Sequence, residues 1–514
     1  MKDSLSAHPS TVDEPPRASS AEASRSSPDL PFVLGLLAVN LVAWTLYAAI
    51  SHSSEALHED MTEAYAWGRE FQLGYYKHPP FWAWLAGFWF LVLPSKAWIF
   101  SMLSVLNANV GLLGAWLLLG RFAEGKRRAA AAFLLLLTPC YGFLALKYNA
   151  NAIFLSLWPW MAYHFVRAID DGRRVDAVLF GALSAAALLS KYYAVILLAT
   201  CLLAACLHPQ RKRYFASASP YVSAGVAALL VAPHVWWLVA SGFPPIHYAL
   251  SRTGLTLFQS VGNAARYLLG CLAFHAFVIF LILLGSPMPL RQRWRKLVEK
   301  SCKPRVRFLA VLAVGPTLLT AVAGLALHFP LAPNISIGLF CLVPLLLMAL
   351  AGADDSARLL RIGQWSVAGF TVAALLASPV VAYEKMRQGE QTAIQPRMEI
   401  ADAATRLWRQ QTGTALAIIA GYSPYADAVA FYSTDHPSDF IAFDFGLAPW
   451  ITPEAIARDG YLAVCLKDDE TCLATARKYA SRPGIPVRVE VFHHSWGISA
   501  PPVAFDLLIV PPRP

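Results

Sequence analysis

Two carboxylates three positions apart, Asp60 and Glu63, stand in the segment His58-Glu59-Asp60-Met61-Thr62-Glu63-Ala64-Tyr65-Ala66-Trp67-Gly68. That spacing puts both on one face of any helix formed there. Gly74-Tyr75-Tyr76-Lys77-His78-Pro79-Pro80 then brings two cation-forming side chains, Lys77 and His78, beside a proline pair that restricts the backbone. Carboxylates next to such cations are the groups needed to activate a hydroxyl and to hold a phosphate. The same residues also read as solvated loop charges around a helix cap. His52, His58, Asp60 and Glu63 leave a divalent-metal site open, centred on His58 and Asp60, although nothing in the spacing fixes its geometry.

These groups must be held by elements embedded in lipid. Of 514 residues, 57% are hydrophobic and 14% charged, and the apolar residues run too long for an ordinary soluble core. Candidate spans fall at 32–50, 98–120, 129–146, 152–169, 177–190, 193–207, 218–241, 263–284, 308–327, 335–351 and 363–382. The Trp-rich stretch 81–94 is too short to cross and reads as an interfacial helix. With residues 1–31 as a disordered cytoplasmic tail, eleven spans put the basic loops 121–128, 170–176, 208–215, 286–307 and 352–361 on the cytoplasmic side. Counting 81–94 as a span would reverse every later loop. The net charge of +10 lies largely in these short loops rather than on one folded face. It points to topology and anionic lipid, not to nucleic acid.

The opposite side carries few cations: Arg69, Lys77, Lys96, Lys147, Lys191 and Arg252, with Arg266 at a boundary. Lys191, at the external end of its span, is costly to hold near lipid unless it snorkels or binds an anion. Arg252 and Arg266 flank the next external loop and are weaker candidates of the same kind. His164, His234 and His275 read as packing or hydrogen-bonding residues, and His493 and His494 as surface residues at a strand end. Trp82, Trp84, Trp89 and Trp98 suit an interfacial belt or a groove for a lipid tail.

Past residue 382 the pattern becomes that of a soluble α/β domain, 383–514, which parity places outside the membrane. Helices are expected at 395–411, 424–432, 453–458 and 469–480, and strands at 415–420, 440–445, 461–466, 487–492 and 504–510. Cys465 and Cys472 are candidates for a disulfide in an oxidising compartment.

Taken together, Asp60-x-x-Glu63 with Trp67, then Gly74-Tyr75-Tyr76-x-His78-Pro79-Pro80, resembles the first-loop signature of bacterial GT-C glycosyltransferases of the family 39 type. These are relatives of the protein O-mannosyltransferases and of the lipid A aminoarabinose transferase. Asn149-Ala150-Asn151-Ala152, the stretch from Gly181 to Lys191-Tyr192, and Pro233-His234-Val235-Trp236 with Gly242-Phe243 are similar to further motifs of that family. Departures are Met61 where a second acid is usual, Lys77-His78 before the proline pair, and Asn151 where many relatives carry Asp.

The resemblance implies a polytopic α-helical GT-C fold. Residues 32–382 would form the catalytic transmembrane domain, 51–97 its first external loop with the site, and 383–514 a periplasmic α/β domain in a bacterial inner membrane. It implies transfer of a sugar, with inversion, from a polyprenyl-phosphate donor to an envelope acceptor such as a lipid A or core glycolipid. Asp60 would then be the base and Glu63 would orient the acceptor or share the proton. Lys77, His78, Lys191, Arg252 and Arg266 would be ligands for the donor phosphate. Tyr65, Tyr76, Asn149, Asn151 and Tyr192 would line the substrate site. A polytopic transporter or flippase of a lipid-linked sugar is the competing reading, but the sequence has no clear internal repeat. A scaffold protein using the external domain would leave the charged first loop without a purpose.

Overall fold

The computed structural model describes residues 30–285, 303–351 and 355–513, together with 289, 291, 292, 295, 298 and 299. The expected tail up to residue 29, and Arg293, Lys296 and Lys300 of the basic loop, lie outside the described residues. Among the described residues, five helices are long and apolar enough to cross a membrane: α1 (Leu30–Ser51), α4 (Ala97–Leu119), α10 (Ser219–Ala240), α14 (Pro304–Ala326) and α16 (Ser356–Gln388). Three bent pairs meet the same measure jointly. They are α5 (Gly125–Leu136) with the turns at Pro139–Leu146, α12 (Leu257–Ala273) with α13 (Ala276–Gly285), and the 3-10 turn Pro333–Leu339 with α15 (Val343–Leu350). The remaining expected spans are α6 (Phe154–Asp170), α7 (Arg174–Leu188) and α8 (Ala194–Leu207), of 17, 15 and 14 residues. At 1.5 Å per residue these reach roughly 21–26 Å, short of a bilayer core of about 30 Å. The expected crossings are thus all helical, but six of the eleven are broken or short.

Their connecting loops gather in two groups, as alternation across a bilayer requires. At one end Arg121 pairs with Asp170 and Asp171, His208 with Asp170, and Arg305 bonds the Arg121 carbonyl. At the other, residues 51–97 meet Lys147, Asn149, Leu189 and His234.

The first loop of that second group folds as α2 (Glu59–Glu70) and α3 (Phe81–Val92). His58 caps α2 through Nδ1, which accepts from the Asp60 N–H; Glu59 and Asp60 occupy its first turn and Arg69 its last. This order of charges complements the helix dipole. Gly68 and Gly87 let the two helices touch backbone to backbone, since a Cβ on Gly68 would lie 2.2 Å from the Ala83 carbonyl oxygen. Ahead of α3, Gly74 lies under the Trp237 ring, where a Cβ would come within 2.2 Å of it. The Phe81 N–H donates to the Leu189 carbonyl at 2.7 Å, and Tyr148 Oη to the Trp82 carbonyl at 2.7 Å.

Residues beyond α16 form the α/β domain: α17 (Arg397–Thr412), α18 (Tyr425–Tyr432), α19 (Pro453–Asp459) and α20 (Glu470–Tyr479) around a five-stranded sheet. In chain order its strands are β1 (Ile418–Gly421), β2 (Ser438–Ile441), β3 (Tyr461–Leu466), β4 (Ile485–Val491) and β5 (Val503–Val510). They are arranged β2-β1-β3-β5-β4, with β2, β1 and β3 parallel and β5 antiparallel to both β3 and β4. The strand expected at 440–445 ends at Ile441, because Ala442 and Phe443 adopt positive φ of 52° and 55° and turn the chain out of the sheet. Cys465 and Cys472 are joined in a disulfide between β3 and α20.

Candidate active site

Asp60, in the first turn of α2, is the meeting point of the site. Its Oδ2 accepts from Asn149 Nδ2 at 2.9 Å and lies 2.7 Å from Lys147 Nζ. Asn149 is itself fixed, because its Oδ1 accepts from the N–H groups of Asn151 and Ala152, both at 2.9 Å, closing the turn that leads into α6. Burial acts to raise the Asp60 carboxyl, but Lys147, His58 and Asn149 together hold it below its ordinary range. At neutral pH it is a carboxylate.

Lys147 also approaches His58 Nε2 at 2.9 Å. The two contacts of His58 ask for opposite tautomers: accepting from Asp60 N at Nδ1 puts the proton on Nε2, whereas accepting from Lys147 needs Nε2 bare. A neutral imidazole satisfies one of them, and burial followed by the Lys147 charge keeps this ring neutral by lowering its pKa. One ligand atom each from His58, Glu59 and Asp60 lies within 4.8 Å of the others, the geometry of a divalent-cation site. The Lys147 ammonium stands between His58 and Asp60, however, so this set fits a metal ion only if the lysine withdraws.

Behind Asp60, Lys191 donates to Asn151 Oδ1 at 2.6 Å. Burial lowers Lys191 to about 8, with Asp60 opposing the shift. Asn151 thus places an uncharged acceptor on Lys191 where Asp would have neutralised it. His78 lies within range of the charges of Lys191, Lys77 and Asp60; burial and then the two lysines push its imidazole down to about 3. Against the expectation of His78 as a cation, its burial and the two ammonium groups near it favour the neutral imidazole.

Lys77 and Glu63 are paired with one another. Lys77 Nζ bonds Glu63 Oε1 at 2.6 Å and lies over the Tyr76 and Trp67 rings. Although burial opposes it, Glu63 and Tyr76 hold this ammonium above its ordinary range. Glu63 is 6% exposed and faces the α/β domain, where burial and Asp427 raise its carboxyl against the pull of Lys77. The side-chain partner of Glu63 is thus Lys77.

Tyr192 Oη donates to His234 Nε2 at 2.8 Å while His234 Nδ1 donates to the Leu73 carbonyl at 2.7 Å, so one side of the first loop is anchored to α10. Tyr65 is buried among Phe90 and Phe431, away from Asp60. Arg252 is exposed and held over Tyr248, whose ring neighbours Tyr76 and His78, whereas Arg266 is exposed on α12. His493, expected on the surface, is 4% exposed: its Nδ1 bonds Glu399 at 2.6 Å and its Nε2 the Ser54 carbonyl at 3.1 Å.

The principal omission of the sequence reading is Lys147, counted there only as a loop charge. Its position two residues before the Asn149 motif is the signal that could have drawn attention to it. A cavity of about 590 Å³ opens on the side of His58 and Lys147, lined also by Glu55, Lys96, Lys385 and, at its apolar edge, Trp98. Asp60 thus lies between this cavity and the Lys191–His78 group.

Residues 77–237 match the profile of the Dolichyl-phosphate-mannose-protein mannosyltransferase family, a stretch that holds Lys147, Asn149, Lys191 and His234 but begins after Asp60 and Glu63. Among solved structures, ArnT from Cupriavidus metallidurans in the apo state is similar over 93% of this chain and 98% of its own, with 15% identity and a TM-score of 0.60. The same protein bound to undecaprenyl phosphate is similar over the same shares, with 14% identity and a TM-score of 0.58. No curated protein matches the sequence. The polytopic helical GT-C fold with a small α/β domain, expected from the sequence, is what the chain adopts.

Proposed function

From a chain with the GT-C fold and a protein-mannosyltransferase-like segment, we infer a membrane glycosyltransferase that takes its sugar from a polyprenyl-phosphate carrier. The observation that carries this reading is Asp60: a carboxylate held by Lys147 and Asn149 between a polar-edged cavity and a buried lysine. ArnT, a protein of the same fold, has been solved with undecaprenyl phosphate, which supports a donor of that chemical class.

In the inferred reaction an acceptor hydroxyl enters from the Lys147 cavity and attacks the anomeric carbon with inversion. The new oxygen–carbon bond forms as the bond from that carbon to the carrier phosphate breaks. Asp60 takes the hydroxyl proton, and the carrier leaves as a phosphomonoester. A carboxylate held below its ordinary range is a weak base, which suits an oxocarbenium-like transition state in which the hydroxyl is acidified as it bonds. Lys191 supplies positive charge to the leaving phosphate, and neutral His78 an N–H; one such donor is typically worth about 3 kcal/mol. Lys77, held by Glu63, fixes the loop that presents His78, and Tyr76, Asn151 and Tyr192 border the donor side.

On this reading the chain lies in a bacterial inner membrane with a cytoplasmic N-terminus, and the site and residues 383–514 face the periplasm. The acceptor is an envelope glycolipid of the lipid A or core type. The test is membrane vesicles supplied with labelled polyprenyl-phosphate sugar and a panel of envelope glycolipids. Wild type should transfer label and Asp60→Asn should lose about 10²–10⁴-fold in rate. Equal rates for the two would remove Asp60 as base, and no donor consumption by either would remove the transferase reading.

A further inference from the structure

Between the end of α1 at Ser51 and the cap of α2 at His58 the chain runs through residues 52–57, and the α/β domain, together with the last turn of α16, grips this short strap along its length. Trp496 Nε1 donates to Ser53 Oγ at 3.0 Å, and His493 Nε2 bonds the Ser54 carbonyl at 3.1 Å. Lys385 and Thr392 hold the Glu55 carboxylate at 2.5 and 2.6 Å. At Leu57 the backbone itself is held twice: its N–H donates to Tyr432 Oη at 2.7 Å, and its carbonyl accepts from Arg397 Nη1 at 3.2 Å. Arg397 is only 5% exposed, and its Nε and Nη2 both donate to Gln395 Oε1, which holds the fork in one orientation.

Leu57 immediately precedes His58, whose imidazole caps α2, and Asp60 follows two residues later in the first turn. The strap is buried at Ala56 and Leu57, so its peptide groups must be satisfied by protein rather than water. Without the α/β domain, the two bonds to the Leu57 backbone have no counterpart within the membrane helices. A loosened Leu57 would free the helix cap, and with it the direction in which Asp60 meets Lys147 and Asn149.

We propose that Arg397 and Tyr432 are positioning residues, through which the α/β domain sets the orientation of Asp60 by clamping the Leu57 peptide. The domain is then part of the reacting assembly and not an appended acceptor module. This rests on the reading of Asp60 as the base, but the clamp has a physical readout of its own.

The experiment uses the full-length protein with Tyr432→Phe, which removes a single oxygen, and with Arg397→Met and Arg397→Lys. Amide hydrogen exchange over residues 58–64 should speed up in Tyr432→Phe and Arg397→Met and return toward wild type in Arg397→Lys. In the vesicle assay kcat should fall roughly 10–100-fold for the first two while KM for the donor is unchanged. Wild-type exchange at 58–64 in both clamp variants overturns the proposal, as does accelerated exchange with an unaltered kcat in an active enzyme. If wild type transfers no sugar, the transferase reading fails, and the exchange data alone still decide whether the clamp exists.

Discussion

The Lys147 ammonium lies 2.7 Å from Asp60 Oδ2 and 2.9 Å from His58 Nε2, joining the turn before α6 to the first turn of α2. It is the strongest of the forces that keep Asp60 ionised, and it fills the space in which a metal held by His58 and Asp60 would sit.

Lys147→Met should therefore lower kcat about 100-fold, the cost typical of losing one electrostatic contact in a site. It should also move the acid limb of the pH–rate profile upward, because Asp60 then lacks its main stabilising charge. Titration of Mn²⁺ into this variant should reveal binding that wild type resists. An acid limb unmoved from wild type would separate Lys147 from Asp60.

The alkaline side of the profile should belong to Lys191. Burial holds its ammonium at about 8, so kcat/KM for the donor should fall as pH rises through that region. Once a phosphate is bound, the opposite charge favours the ammonium, and the corresponding limb in kcat should lie higher. Lys191→Arg keeps the charge and should abolish the limb. The check is a paired pH profile of kcat and kcat/KM for the two proteins.

The α/β domain should hold the first loop more firmly in mild acid. Glu399 raises His493 above its ordinary value of 6.5, with burial opposing. A group with a raised folded pKa adds stability that is complete below the unfolded value and disappears as pH rises through the folded one. Thermal unfolding of wild type and His493→Gln should accordingly differ most below about pH 6.5 and converge at alkaline pH. A constant difference across pH would assign the effect to packing alone.

Asp439 should be a liability at high pH. It is 1% exposed, and burial, the Asp427 charge and a carboxyl-to-carboxyl hydrogen bond with Asp427 raise its pKa well above 3.8. Folding with such a group takes up a proton, so its contribution to stability falls as pH rises from the unfolded value. Asp439→Asn supplies an amide that can donate to Asp427 without taking up a proton, and should stabilise the protein by about 1–3 kcal/mol at neutral pH, the range of a hydrogen bond to a charged group. The gain should shrink toward pH 4. Destabilisation at every pH would mean that the carboxyl itself is needed at this position.

The helices were legible because long apolar runs and the alternation of basic loops are local features of the chain. The four helices of the α/β domain were equally legible from their periodicity, and Cys465 and Cys472 from their polar surroundings. Asp60 stood out through its motif. Charge states did not, since His78 is pushed toward the neutral form by burial and by the Lys191 and Lys77 charges that folding sets near it. Glu63 is likewise turned toward Lys77 and Asp427 by an interface no local pattern announces. Tyr432, Arg397 and His493 are remote in sequence from the strap they hold, so neither composition nor spacing linked them to it.

At Gly68 and Gly87 no side chain separates α2 from α3, so the pair has no cushion in which a displacement of one helix could be absorbed. A shift of the tryptophan-rich helix is therefore passed directly to the helix that carries Asp60.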